Sequence, residues 1–119
     1  MIALGALAGL VAVAVAAAAT HVLPGRVGPG GEALVQSGLR MQAWHALALL
    51  FVGLWSARGG WLADAAAVCF VLGIVLFCGA VYALAFGHAA IEPLAPVGGT
   101  LLMLGWLLLG LSALRPRRG

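Results

Sequence analysis

The segment MIALGALAGLVAVAVAAAATHVL, Met1 to Leu23, contains no charged side chain. A helix of about 20 mostly apolar residues crosses the hydrocarbon layer of a bilayer, and this run is long enough to do so. Lipid offers the backbone no hydrogen-bond partner, so only helices and closed barrels can span it. The apolar runs of this chain are continuous rather than alternating, which excludes a barrel. Of the 119 residues, 65% are hydrophobic and 8% charged, so polar surface is too scarce to coat a soluble globule. The expectation is an all-α integral membrane protein, folded as one domain over residues 1–119.

Four apolar runs predict a four-transmembrane-helix antiparallel bundle, with spans at about 2–23, 41–57, 62–86 and 94–114. The first run could also be read as a cleaved signal peptide ending in the Ala-rich VAAAAT. It lacks the positive n-region of a signal, however, and its apolar stretch exceeds a normal signal core, so a retained helix is expected. The segment PGRVGPGG, Pro24 to Gly31, carries two prolines and four glycines and reads as a loop. Glu32, Gln36 and Arg40 then recur at four-residue steps and form one polar stripe. Residues 32–40 are therefore expected as an interfacial helical extension before the second span, with Gly38 as a bend. The connection SARGGWLAD is short enough to make the second and third spans antiparallel neighbours, with Trp55 and Trp61 as interfacial anchors. A second tight turn, GHAAIEP, precedes the fourth span.

Arginine distribution orients the bundle. With the N- and C-termini and the Arg58 turn in the cytoplasm, Arg58, Arg115, Arg117 and Arg118 gather there and only Arg26 and Arg40 lie outside, as the positive-inside rule favours. The formal net charge of +3 resides mostly in the closing RPRRG. It marks topology and shows no basic face with interleaved readers, so nucleic acid is not an expected partner.

This topology gathers polar groups in the outer leaflet. His21 ends the first span, and Gln42 and His45 lie within two turns of the outer end of the second. Tyr82 lies a turn and a half inside the third, and His88 and Glu92 occupy the following turn. Gln42 and His45 are three residues apart, so they share a face that can point at His21 and Tyr82. The cluster His21, Gln42, His45 and Tyr82 has two readings. It is an interhelical latch, or it walls a small-molecule, quinone, haem or proton-handling site, because ionisable groups inside a membrane are functional suspects. A bis-histidine haem site on His21 and His45 lacks a diagnostic motif. A metal site drawn from His21, His45, His88 and Glu92 rests on residues scattered over separate segments. No cofactor and no metal are expected.

Small residues point to close packing. Gly5 and Gly9 form a small-xxx-small pair that Ala14 and Ala18 extend, and Gly73, Gly79, Gly105 and Gly110 suit packing too. In PVGG, Pro96 fits a first helical turn, while Gly98 and Gly99 admit a neighbouring backbone. Trp106 is too deep for an interfacial belt and is expected to be buried between helices. Cys69 and Cys78, nine residues apart, face opposite sides of one helix and cannot bridge. No nucleophile elbow, phosphate loop, Cys-x-x-Cys, His-Glu-x-x-His or carboxylate pair occurs, so an enzyme is not expected. The partners expected are lipid and either a larger membrane complex or further copies of the chain, met through helix faces.

The segments THVL, SGLRMQAWHALAL, GIVLFCGAVYALAF and APVGGTLLMLGW occur in the order and spacing of the domain-of-unknown-function-423 family. Over nearly its whole length the chain resembles these small bacterial inner-membrane proteins, which have relatives among small mitochondrial transmembrane proteins of animals. The resemblance implies a location in the bacterial inner membrane. It matches His21, Gly38, Gln42, His45, Gly79, Tyr82, Pro96, Gly98 and Gly99 to the family's motif positions. Two departures stand out: AAAATH replaces a Gly-rich GAFGAH, and Cys78, Gly79 and Ala80 replace Ser-Gly-Ser. The resemblance implies an architecture and no activity.

Overall fold

The computed structural model describes residues 2–21 and 30–115, and every regular element among them is helical. Three helices, α1 (Ile2–His21), α2 (Gly31–Ala85) and α3 (Leu94–Leu114), are each long and apolar enough to cross a membrane. A 3₁₀ turn at Ala89–Ile91 joins α2 to α3. The all-helical, membrane-type architecture expected from the sequence is therefore present. Most of the expected PGRVGPGG loop and the end of the arginine tail lie outside the described residues.

The expected second and third spans differ from the observed element. They form one 55-residue helix interrupted only at Gly60, whose φ of 61° and ψ of −151° lie in a region that essentially only glycine occupies. The anticipated connection SARGGWLAD thus stays helical on both sides of one residue. A straight helix of 55 residues would measure about 80 Å at about 1.5 Å per residue, yet the molecule's longest dimension is 58 Å. The reversal is visible within α2: Gly38 and Tyr82, each 22 residues from Gly60, face each other, and Cys78 Sγ donates to Gly38 O and Tyr82 Oη to Gln42 Oε1. Residues 31–59 and 61–85 therefore run antiparallel. The expected interfacial extension continues into the following span without a break, and Gly38 is helical rather than bent.

α2 ends with Gly87 at φ +86°. The amide of His88 donates to Ala83 O and that of Gly87 to Leu84 O, the paired bonds of a Schellman cap. α1 and α3 each pack on α2. α1 runs antiparallel to residues 31–59. As its numbers fall from Ala8 to Gly5 to Ile2, the facing residues rise from Gln42 through Ala46 and Leu50 to Gly53. α3 runs antiparallel to residues 61–85, with Gly98 against Phe77, Leu102 against Gly73 and Gly105 against Phe70. The core sits between the two parts of α2 and α3, around Leu49, Val52, Ala63, Ala66, Phe70 and Leu102. Alanine dominates its α2 side, and this lets the backbones approach closely where lipid supplies no hydrophobic drive for helix association.

Candidate functional site

Gln42 is buried and ties three segments together. Its Nε2 donates to Ala8 O of α1 at 2.9 Å, and its Oε1 accepts from Tyr82 Oη at 2.8 Å. Tyr82 reaches that amide because Gly38, one turn before Gln42, has no side chain. A Cβ there would meet the tyrosine ring at 2.6 Å. Cys78, one turn before Tyr82, donates its thiol to the Gly38 carbonyl at 3.3 Å. The Ser-to-Cys departure noted in the sequence thus leaves a weak donor in place at that position.

His45 takes a different neighbour. Its Nδ1 lies 2.6 Å from Met41 O, and its Nε2 accepts from the Trp106 indole at 2.9 Å. A carbonyl only accepts and an indole N–H only donates, so the imidazole is neutral and carries its proton on Nδ1. The ring also packs against Phe70 and Trp106, with centroids 5.6 and 5.8 Å away. Trp106 differs from expectation: it is 46% exposed, with its ring at the surface of α3 and its N–H turned inward. Another pairing lies nearer the chain reversal, where Trp55 Nε1 donates to the buried Ser112 Oγ at 3.0 Å and Ser112 donates to Leu109 O.

The structure brings Gln42 and Tyr82 together and directs His45 from the same helical face toward α3. It does not bring His21 to them. His21 is exposed at the end of α1, 13 residues from the Ala8 carbonyl that Gln42 holds, or about 20 Å along the axis at about 1.5 Å per residue. His88 and Glu92 are exposed around the 3₁₀ turn. Among the described residues, no three His, Cys, Asp or Glu side chains lie close enough together to hold a metal ion.

The close-packing motif divides likewise. Gly98 is buried against the backbone of Phe77, whereas Gly99 leaves ordinary space and Pro96 is exposed, with its carbonyl accepting from Thr100 Oγ1 at 2.8 Å. Gly5 faces the backbone of Ala46 and Leu50, but Gly9, Gly79 and Gly110 have no neighbour within reach of an added Cβ. Among the described residues those three glycines meet no packing partner, contrary to the expectation from spacing. Trp106 and Ser112 are the participants that sequence reasoning missed. The available signal was an indole donor too deep in a span to reach water.

Residues 15–99 match the family model described as "Protein of unknown function (DUF423)". The chain belongs to the DUF423 family. Its DUF423-type relatives include the UPF0382 inner membrane protein YgdD of Escherichia coli K12, 35% identical over 99% of this chain and 92% of that protein. A UPF0382 membrane protein of Haemophilus influenzae is 34% identical over 94% of this chain and 91% of its own length. Another, SERP0230 of Staphylococcus epidermidis, is 33% identical over 94% and 93%. No solved structure matches the chain. DUF423 membership and the three apolar helices make it a small inner-membrane protein.

Proposed function

We propose that this DUF423 chain is a structural, non-enzymatic and cofactor-free component of the bacterial inner membrane. It crosses four times as an antiparallel bundle and packs as an accessory subunit against a larger membrane complex or against copies of itself. The observation that carries this reading is closure of the polar network. Among the described residues, every buried side-chain nitrogen or oxygen has a hydrogen-bond partner. Nothing buried and polar is held in reserve for a ligand. A ligand at His45 Nε2 would first displace Trp106, and one at Gln42 would break the tie between α1 and α2.

The reversal at Gly60 and the placement of the arginines support four crossings. Arg40 and Arg58 are both exposed and lie 18 residues apart in continuous helix, five full turns, so they share one angular position. Their separation is about 27 Å at about 1.5 Å per residue, close to the ~30 Å hydrocarbon thickness. Each guanidinium can snorkel toward a headgroup region, while α1, whose Ala8 faces Gln42, continues past the level of Arg40. With both termini cytoplasmic, the network lies toward the outer leaflet.

A reporter fused after Gly119 should be active only on the cytoplasmic side, and periplasmic activity would reverse this orientation. Crosslinking in native membranes should trap one recurrent partner, either a distinct protein or a second copy. Recovery of the chain only as a monomer would remove the accessory role.

A further inference from the structure

Between residues 43–51 of α2 and the outer face of α3 runs an open, apolar groove of about 620 Å³, lined by Trp44, Leu47, Phe51, Trp106 and Leu109. Its α2 wall is the stripe that Arg40 and Arg58 bracket. Arg40 is one turn from Trp44, and Trp44, Leu47 and Phe51 follow at the four- and three-residue steps that keep one helix face exposed. The nearest acid on the same helix toward the N-terminus is Glu32, eight residues before Arg40. Trp44 is 69% exposed, and its indole N–H, unlike those of Trp55 and Trp106, has no partner among the described residues.

We propose that this groove seats one anionic phospholipid, its acyl chain along Leu47, Phe51 and Trp106 and its headgroup phosphate held by Arg40 and the Trp44 N–H. Charge selects this occupant. A second copy docked through the same stripe would set Arg40 against Arg40 in a parallel pair or against Arg58 in an antiparallel one, and both juxtapositions are repulsive. An anionic headgroup neutralises Arg40 and accepts a hydrogen bond from the Trp44 N–H, while the acyl chain fills a slot whose walls are otherwise apolar. A headgroup without its chain would leave the groove unfilled, so the ligand is the intact lipid rather than free phosphate.

The test uses the full-length protein in phosphatidylcholine vesicles doped with spin-labelled phosphatidylglycerol or phosphatidylcholine, and reads the motionally restricted fraction by electron paramagnetic resonance. Phosphatidylglycerol should be preferred by about fivefold, the gain that one basic residue at an anionic headgroup supplies. Arg40→Gln should bring the ratio to about one, and Arg40→Lys should restore most of it. Ala43→Phe, which narrows the groove, should lower the restricted fraction of both lipids. Equal restriction of both lipids by the unaltered protein, or a preference untouched by Arg40→Gln, would overturn the proposal. Displacement of the label by millimolar glycerol phosphate would assign the site to a free phosphate and also overturn it, as would efficient disulfide dimerisation of Leu47→Cys.

Discussion

Gly98→Ala is expected to destabilise the folded protein by about 1–3 kcal/mol, with Gly98→Leu worse. An alanine Cβ at 98 would lie 2.8 Å from Phe77 Cα and 2.9 Å from Phe77 Cβ. The obstacle is largely main chain, which cannot step aside like the end of a flexible side chain, so α3 must lift from residues 61–85 along the contact. In a membrane that contact is held by van der Waals packing rather than by water expulsion, and a separation of about 1 Å forfeits much of it. The better helix propensity of alanine offsets about 1 kcal/mol at most. Gly79→Ala and Gly110→Ala provide the contrast, because an added Cβ meets nothing within 4 Å at either position. There the propensity gain stands alone, and both variants should be neutral or up to about 1 kcal/mol more stable. Unfolding by SDS titration of the protein in mild detergent, followed by circular dichroism, reads all three. A Gly98→Ala variant as stable as Gly79→Ala would mean that α3 does not rest on Phe77.

The contrast between Gly98 and Gly79 also marks where sequence reasoning stops. Composition and run length determine that the chain is helical and membrane-borne, and the Gly-Gly pair between Arg58 and Trp61 marks a reversal within the membrane-type sequence. Spacing cannot tell which glycine faces a neighbour, because every helix in lipid is apolar on all sides and no moment points inward. The same blindness misplaced His21. Aligning the outer ends of the first two spans puts His21 and His45 at one depth, but α2 begins at Gly31 and α1 slides along it until Ala8, not the end of α1, faces Gln42. Interhelical register is set by individual close contacts such as Gly5 on Ala46, and those leave no periodic trace. The Gln42–Tyr82 pair was legible because two polar side chains inside hydrocarbon have few other partners. The sequence marks His45 as polar and inward-facing but not its partner, because an indole deep in a span reads as apolar bulk and Trp106 carries its N–H to His45 Nε2.

Gln42→Leu is expected to cost about 1–3 kcal/mol, because it removes two interhelical hydrogen bonds at once and strands the Tyr82 hydroxyl. Tyr82→Phe removes one bond and should cost about 0.6–1.7 kcal/mol, the range of single polar contacts between membrane helices. In the Gln42→Leu background, Tyr82→Phe should cost nearly nothing, since the acceptor has already gone, so a double-mutant cycle isolates the pair. His21→Ala, at an exposed helix end, should stay within about 0.5 kcal/mol of the unaltered protein. The sign for Gln42→Leu decides between the two uses of the cluster. A latch loses stability when its apolar isostere replaces it. Groups kept for a ligand instead burden the apo fold, and replacing them with leucine releases that burden and raises the unfolding midpoint. The two bonds of Gln42 lie on different segments, α1 and residues 61–85, so the latch also predicts which part fails first. Gln42→Leu should loosen α1 while leaving the Gly98 contact on Phe77 intact. Faster amide exchange confined to α1 would place Gln42 as the tie that holds α1 to the rest of the bundle.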